Sequence, residues 1–543
     1  MTLRDSPPGS GERHEIGATD AGGPNLSVRE RLVVAMPRDA LWGWLGPLIV
    51  TVFGGYLRFF RLGDPKAIAF DESFYAKDAY SLIRFGVEQS MLGTDKDPVA
   101  NTRLLAGNTD IFVRCPPAPL SDCAAYVAHP PLGKWMIGLG EFVFGPNPFG
   151  WRFAAALVGT LSILILARTA RRMTRSTLLG CLAGFLLALE GLHLTSSRTA
   201  LLDIFLMFWV LAGFACLVAD RDVTRARLAD WYESRRRDET GPAPAVRWWR
   251  LAAGLCLGAA CAVKWSGVFF LIGFAIMSLV WDAGARKSAG LRQPYTGGLS
   301  RSLPRAALAL GVLPAVVYVV SWTGWFASAR GYGRNWDEAT SAGPVFFVID
   351  SLESWWNYHT SLLGFHTGMA DTHPYMSKPW SWPLLLRPVA YFYESAPGCG
   401  APNCSQAVLG TGTPAVWYGA LVALVAMIAW YTASRDWRAG AVLLAYAVGW
   451  LPWFYYAWSD NRTMFLFYAL PMVPFMILAI VLAAGLIMGR PTAAPLRRSV
   501  GAAVVGAFAL LTLIDFWWLY PVLTAENIPY DAWHARMLFP SWI

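Results

Sequence analysis

The chain has 543 residues, 55% of them hydrophobic and 14% aromatic, and only 15% are charged, against roughly 25% in ordinary soluble domains. That balance excludes a disordered chain, a fibrous repeat and a typical soluble enzyme. The net charge of +9 does not point to nucleic acid, because the arginines gather in short stretches between apolar runs, where membrane topology accounts for them.

Residues 1–40 are polar, rich in Gly and Pro and mixed in charge, which predicts a disordered cytoplasmic tail. The first apolar run begins near Leu41, too late and too long for a cleaved signal peptide, so it reads as an uncleaved transmembrane helix. Apolar runs long enough to span recur after it. We expect an all-α, polytopic membrane protein with about eleven spans, at 41–60, 150–170, 176–194, 199–219, 249–264, 266–282, 305–325, 414–433, 439–457, 463–488 and 500–520. With the N-terminus in the cytoplasm, the segments 168–175, 220–248, 283–304, 434–438 and 489–499 fall inside, and each is rich in Arg, as the positive-inside rule requires. The C-terminal tail then lies outside. No internal repeat is visible.

Two long segments, 61–149 and 326–413, also face outside in this topology, and loops of that length are usually functional. In the first, Tyr75, Ala79, Leu82 and Ile83 follow helical spacing. The stretch Trp135–Phe144 is apolar but too short to span, so both suit helices lying in the interface. Each loop carries a close pair of cysteines, Cys115/Cys123 and Cys399/Cys404, which suits disulfides in an oxidising compartment. The spacing of neither pair is that of a zinc site.

Charge near a bilayer is costly and usually functional. Here the exceptional groups converge on the outer surface: Asp71 and Glu72 after the first span, His129 and Lys134, Arg198 and Asp203, Lys264, Arg462, and in the second loop His359, His366, Asp371, His373 and Lys378. Lys and Arg there suit a lipid phosphate, and a carboxylate suits a general base. Each also has a structural explanation. Arg198 and Arg462 fit interface anchors, Lys264 fits an ion pair with a carboxylate such as Glu190, and the loop histidines fit satisfied side chains better than a metal site. No ligand cluster stands out, so no cofactor is expected and the participation of a divalent cation is left open.

Six stretches in order, Ala69-Phe-Asp-Glu72, His129-Pro-Pro-Leu-Gly-Lys-Trp135, Ser197-Arg-Thr-Ala-Leu-Leu-Asp203, Ala262-Val-Lys-Trp-Ser-Gly267, the His373–Pro383 block and Arg462-Thr-Met-Phe-Leu-Phe-Tyr-Ala-Leu-Pro471, resemble the protein O-mannosyltransferase family of the GT-C glycosyltransferases. The resemblance covers nearly the whole membrane region, 41–543, as one catalytic domain. It implies a GT-C fold and transfer of mannose, with inversion, from a polyprenyl-phosphate donor to Ser or Thr hydroxyls of exported proteins. Asp71 would be the general base and Glu72 its catalytic neighbour. By charge and position, Lys134 and Arg198, then Lys264 and Arg462, are expected to hold the donor phosphate, and His129 and His373 to border the donor. The second loop has no room for the lumenal β-trefoil of eukaryotic members, so the chain resembles the shorter prokaryotic type, expected in a bacterial plasma membrane. A lipid or cell-wall glycan acceptor is the alternative. Contact with the protein export machinery is a further expectation, and nucleic acid is not expected.

Overall fold

The computed structural model describes residues 26–543 apart from 95–96, 116–122, 235–237, 243–244, 329, 335–343 and 490–491. The expected tail divides there. Residues 1–25 lie outside the described residues, whereas α1 (Val28–Leu32) is an ordered turn with a Ser27/Glu30 capping box. It docks through Leu32 beside Leu228, Ala229, Ala285 and Ala289. The tail is therefore not disordered throughout, because Arg225 also fixes the carbonyls of Leu32 and Arg31.

The first expected span is α2 (Ala40–Phe59). The first long loop holds α3 (Glu72–Phe85), α4 (Val99–Leu105) and α5 (Leu132–Phe144). α3 stops at Gly86, whose φ of 79° is the left-handed conformation that a helix C-cap favours. Then follow α6 (Pro148–Thr174), α7 (Thr177–Ala188), α8 (Gly191–Ser197), α9 (Leu202–Glu233), α10 (Trp248–Val263), α11 (Gly267–Ser288) and α12 (Pro294–Ser321). The second loop contributes α13 (Pro344–Gly368) and a hairpin of β1 (Val389–Glu394) and β2 (Cys404–Gly410). The chain closes with α14 (Pro414–Ser434), α15 (Trp437–Ser459), α16 (Leu466–Met488), α17 (Pro495–Leu523) and β3 (Ile528–Pro529).

Among the described residues, 9 helices are long and apolar enough to cross a membrane, and 10 if the bent pair α7–α8 is one span. α10, at 16 residues, is the shorter apolar helix at the remaining expected segment. The expectation for 176–194 misses a 64° bend. Its cause is Glu190, whose carboxylate caps α8 by accepting the Leu192 and His193 amides. α9 and α16 are mostly buried, α17 and α12 mostly exposed, so the first pair forms the centre and the second faces lipid. The fold is helical, with one addition that the sequence did not announce. A three-stranded antiparallel sheet, β1-β2-β3, ties the second loop to the C-terminal tail. Cys399 and Cys404 are joined at the hairpin, and Cys115 and Cys123 in the first loop.

Candidate active site

α3 begins at the membrane end of the first loop, and its first residue is held from several sides. The fully buried Glu72 carboxylate accepts Arg152 Nε at 2.8 Å and Nη2 at 2.9 Å, the Ala69 amide at 2.8 Å and the Ala200 amide at 3.0 Å. One side chain thus joins α3, α6 and the turn before α9. Glu72, expected as the catalytic neighbour of Asp71, thus has its carboxylate engaged inside the protein and does not line the chamber beside Asp71.

Asp71, at the N-cap, lines a cavity of about 620 Å³. Phe74, Tyr75 and Asp78 line it from the same helix, because positions i, i+3, i+4 and i+7 share a face. His129, Lys134, Lys264 and Arg462 close other sides. Burial pushes the Asp71 carboxyl up to about 6. Lys264 opposes the rise, Asp203 adds to it and the Tyr75 hydroxyl opposes it. Asp78 is raised further, to about 7, again chiefly by burial. Burial, together with the surrounding Lys264, His366, Lys134 and Arg462, holds His129 well below its ordinary value, so it is a neutral ring. Burial and Arg462 lower His366 to about 4.

A second cavity of about 600 Å³ lies beyond a wall formed by His129, Lys264, His366, Arg462 and Tyr468, which line both spaces. Its other sides are mainly apolar side chains of α9, α11, α12 and α13, and Val268, Val319 and Leu363 are exposed at its rim. A charged partition between a polar chamber and an apolar groove suits a molecule with a lipid tail and a charged head.

The cations differ in how they are held. Lys264 donates to Asp203 at 2.7 Å, not to Glu190. Arg462 donates to the His366 carbonyl at 2.6 Å and meets His366 Nδ1 at 3.2 Å. It has no carboxylate partner among the described residues, whereas Lys134 is paired with Glu88. Arg198 stands apart from both cavities. Its guanidinium donates to the carbonyls of Leu57, Arg58, Phe60 and Arg61, at 2.7–3.2 Å. It caps the C-terminal end of α2, where helix carbonyls lack partners. Arg198, expected at the donor phosphate, is thus engaged with backbone carbonyls and lines neither cavity. His373 packs edge-on against Phe465 and Phe70 and lies behind the lining. His359 bonds the Trp355 carbonyl and Tyr318 hydroxyl. Among the described residues no three of His, Cys, Asp and Glu gather as a metal-holding group.

The profile described as "Dolichyl-phosphate-mannose-protein mannosyltransferase" matches residues 48–325, and the C-terminal four-transmembrane region of protein O-mannosyltransferase matches 351–542. A polyprenol-phosphate-mannose–protein mannosyltransferase of Mycolicibacterium smegmatis is 40% identical over 93% of this chain and 94% of its own length. This chain belongs to that family. Its Mycobacterium tuberculosis relative, of the same name, is 38% identical over 93% of each chain. The S. cerevisiae protein O-mannosyltransferase Pmt1–Pmt2 complex bound to the sugar donor shares the fold, with a TM-score of 0.67 at 15% identity over 95% of this chain and 94% of that one. The mannosyltransferase fold thus gathers Asp71, His129, Lys134, Lys264 and Arg462 from segments up to 391 residues apart (462 − 71) around one chamber. Sequence reasoning did not single out Asp78, Glu88 or Tyr468. Asp78 carried a usable signal, its helical phase with Asp71.

Proposed function

We propose that this membrane enzyme transfers mannose from a polyprenyl-phosphate donor to Ser or Thr hydroxyls of exported polypeptides. The observation that carries the reading is the charged wall with Asp71 on one side and an apolar groove on the other. The donor's isoprenoid chain occupies the groove. Its phosphate meets Arg462 and Lys264 at the wall, and its sugar enters the chamber. The acceptor hydroxyl approaches C1 of the sugar from the Asp71 side. Asp71 takes the hydroxyl proton as the oxygen bonds C1, and the C1–O(phosphate) bond breaks with its electrons on the leaving phosphate. Attack opposite the leaving group inverts the anomeric centre.

The magnitudes suit these groups. A positioned base contributes roughly 10²–10⁴-fold. Cations fixed where charge develops stabilise the transition state because they need not reorganise. Lys264 brings its charge already balanced by Asp203, so Arg462 is the stronger electrostatic partner of the leaving phosphate. The neutral His129 ring suits contact with sugar hydroxyls. The chamber opens on the outer face of a bacterial plasma membrane, with the N-terminus in the cytoplasm.

The test uses the purified full chain in detergent with polyprenyl-phosphate mannose and a Ser/Thr/Pro-rich peptide, wild type beside Asp71→Asn. Mannosyl peptide from wild type, with a loss of at least 100-fold in Asp71→Asn and unchanged donor binding, supports the reading. Donor consumed only when a membrane glycan or lipid fraction is added would replace the polypeptide acceptor.

A further inference from the structure

A third cavity, of about 340 Å³, borders α3 and the 91–101 segment. Phe74, Met91 and Gly93 line both it and the Asp71 chamber, so the two spaces are contiguous. Asp71, Phe74, Tyr75 and Asp78 face the chamber, while Ser73, Phe74 and Lys77 face the third cavity. Phe74 is the ridge between them. It is 50% exposed, although α3 neighbours such as Ala76 and Ala79 are fully buried.

The opposite wall is built, not loose. The Leu92 amide donates to the Ile111 carbonyl at 2.8 Å, and the Ala100 amide donates to the Leu92 carbonyl at 3.2 Å. Gly93 turns at a φ of 89°, and a side chain there would meet the Asp97 carbonyl at 2.3 Å. The Ser90 amide donates to the carbonyl of Cys123, which is joined to Cys115. Among the described residues lining this cavity the single formal charge is Lys77, which donates to Asn101 Oδ1 at 2.6 Å.

We propose that the third cavity holds the acceptor polypeptide on one side of the residue being modified. This rests on the polypeptide-acceptor reading above. Lys77 lies six positions beyond Asp71, about 9 Å along the helix at 1.5 Å per residue and about 120° around it, a path a little over 9 Å. Three extended residues cover that distance. The acceptor therefore crosses Phe74 in extended form, with its hydroxyl at Asp71 and a residue about three positions away inside the cavity. Ser73, Thr94 and Asn101 bring polar side chains to its lining, suited to an extended backbone, and the volume admits short side chains.

The experiment compares two acceptors with the full chain in detergent and polyprenyl-phosphate mannose. One is a nonapeptide with a central Thr; the other is N-acetyl-threonine amide, which is too short to reach. Ser73→Trp and Thr94→Trp fill the cavity. The expected result is a fall of at least tenfold in the ratio of kcat/KM for the long acceptor over the short one in both variants. An unchanged ratio overturns the proposal, including the case in which both acceptors lose equally. Wild type that glycosylates neither acceptor overturns the underlying acceptor assignment instead, and the cavity's role with it. Should the variants not accumulate, nonapeptides carrying benzoylphenylalanine three residues before or after the Thr decide the matter on wild type. Adducts on Thr94, Pro98, Ala100 or Asn101, which line the third cavity and not the chamber, support the proposal, and adducts only elsewhere overturn it.

Discussion

Near pH 6 half of the Asp71 carboxyls hold a proton, because burial and Asp203 raise the group against the opposing Lys264 charge and Tyr75 hydroxyl. A base acts only when deprotonated. Activity limited by Asp71 should therefore rise about tenfold per pH unit below 6 and level off above it. A kcat/KM profile from pH 5 to 8 with saturating donor checks this, and Asp71→Asn should flatten the rise. Asp78 titrates nearby, at about 7, so Asp78→Asn should leave the inflection near 6 in place. Arg462→Ala removes the wall cation that lacks a carboxylate partner among the described residues. Donor KM should rise and kcat fall together, by at least tenfold each, because the contact holds the phosphate in the ground state and strengthens as negative charge develops on it in the transition state. Lys134→Ala should act differently, since it leaves Glu88 buried without its cation. At this scale the sequence is a good guide to which residues are exceptional and a poor one to their partners. The Ser197-Arg-Thr-Ala motif marks Arg198 but does not reveal that the last carbonyls of α2 lie beside it. Lys264 is plainly anomalous in its apolar run, yet the choice between Asp203 and Glu190 depends on how the intervening helices pack.

Among the elements, the two acidic residues at the start of α3 divide their work. Asp71 is offered to the chamber while Glu72 anchors the helix to α6 through Arg152. Arg198 does the corresponding work for α2. Arg198→Ala should cost about 1–3 kcal/mol of stability, because a charged donor is lost and buried carbonyls are left without partners. Thermal melts in detergent should show a lower Tm while donor KM stays within twofold of wild type. A large rise in donor KM at unchanged Tm would instead return Arg198 to phosphate binding. Hydropathy located these helices well, since apolar length is a local property. The bend at Glu190 and the β1–β2–β3 sheet were not legible. The first depends on a buried carboxylate turning back to cap its own helix, and the second pairs Cys404 and Ser405 with Pro529 and Ile528, far away in sequence.

Across the whole molecule, the apolar spans supply the scaffold and the loops supply the chemistry. α9 and α16 are buried at the centre, and Asp203 and Arg462 stand at or just before their first turns, which is how two long helices deliver opposite charges to the head of the apolar groove. On the Arg-rich side of the sequence, half-buried Arg247 and buried Arg250 bridge to Asp282 at 2.7 Å and 2.6 Å, joining α10 and α11 at the opposite end from Lys264. Six motifs in order were enough to suggest the architecture, whereas the partition between two cavities is a property of the assembled helices.

On the function proposed here, that partition keeps the two substrates on separate routes. A tail lying in the groove between α11 and α12 and a polypeptide lying along α3 meet only at His129, Lys264, His366, Arg462 and Tyr468. Neither must leave for the other to arrive. Spent polyprenyl phosphate should then inhibit competitively against the glycosylated lipid and non-competitively against the peptide, and steady-state inhibition patterns would read this directly. Competition with both substrates would mean that they share one doorway. With two doorways, a bound polypeptide would stay seated while one carrier lipid is exchanged for the next.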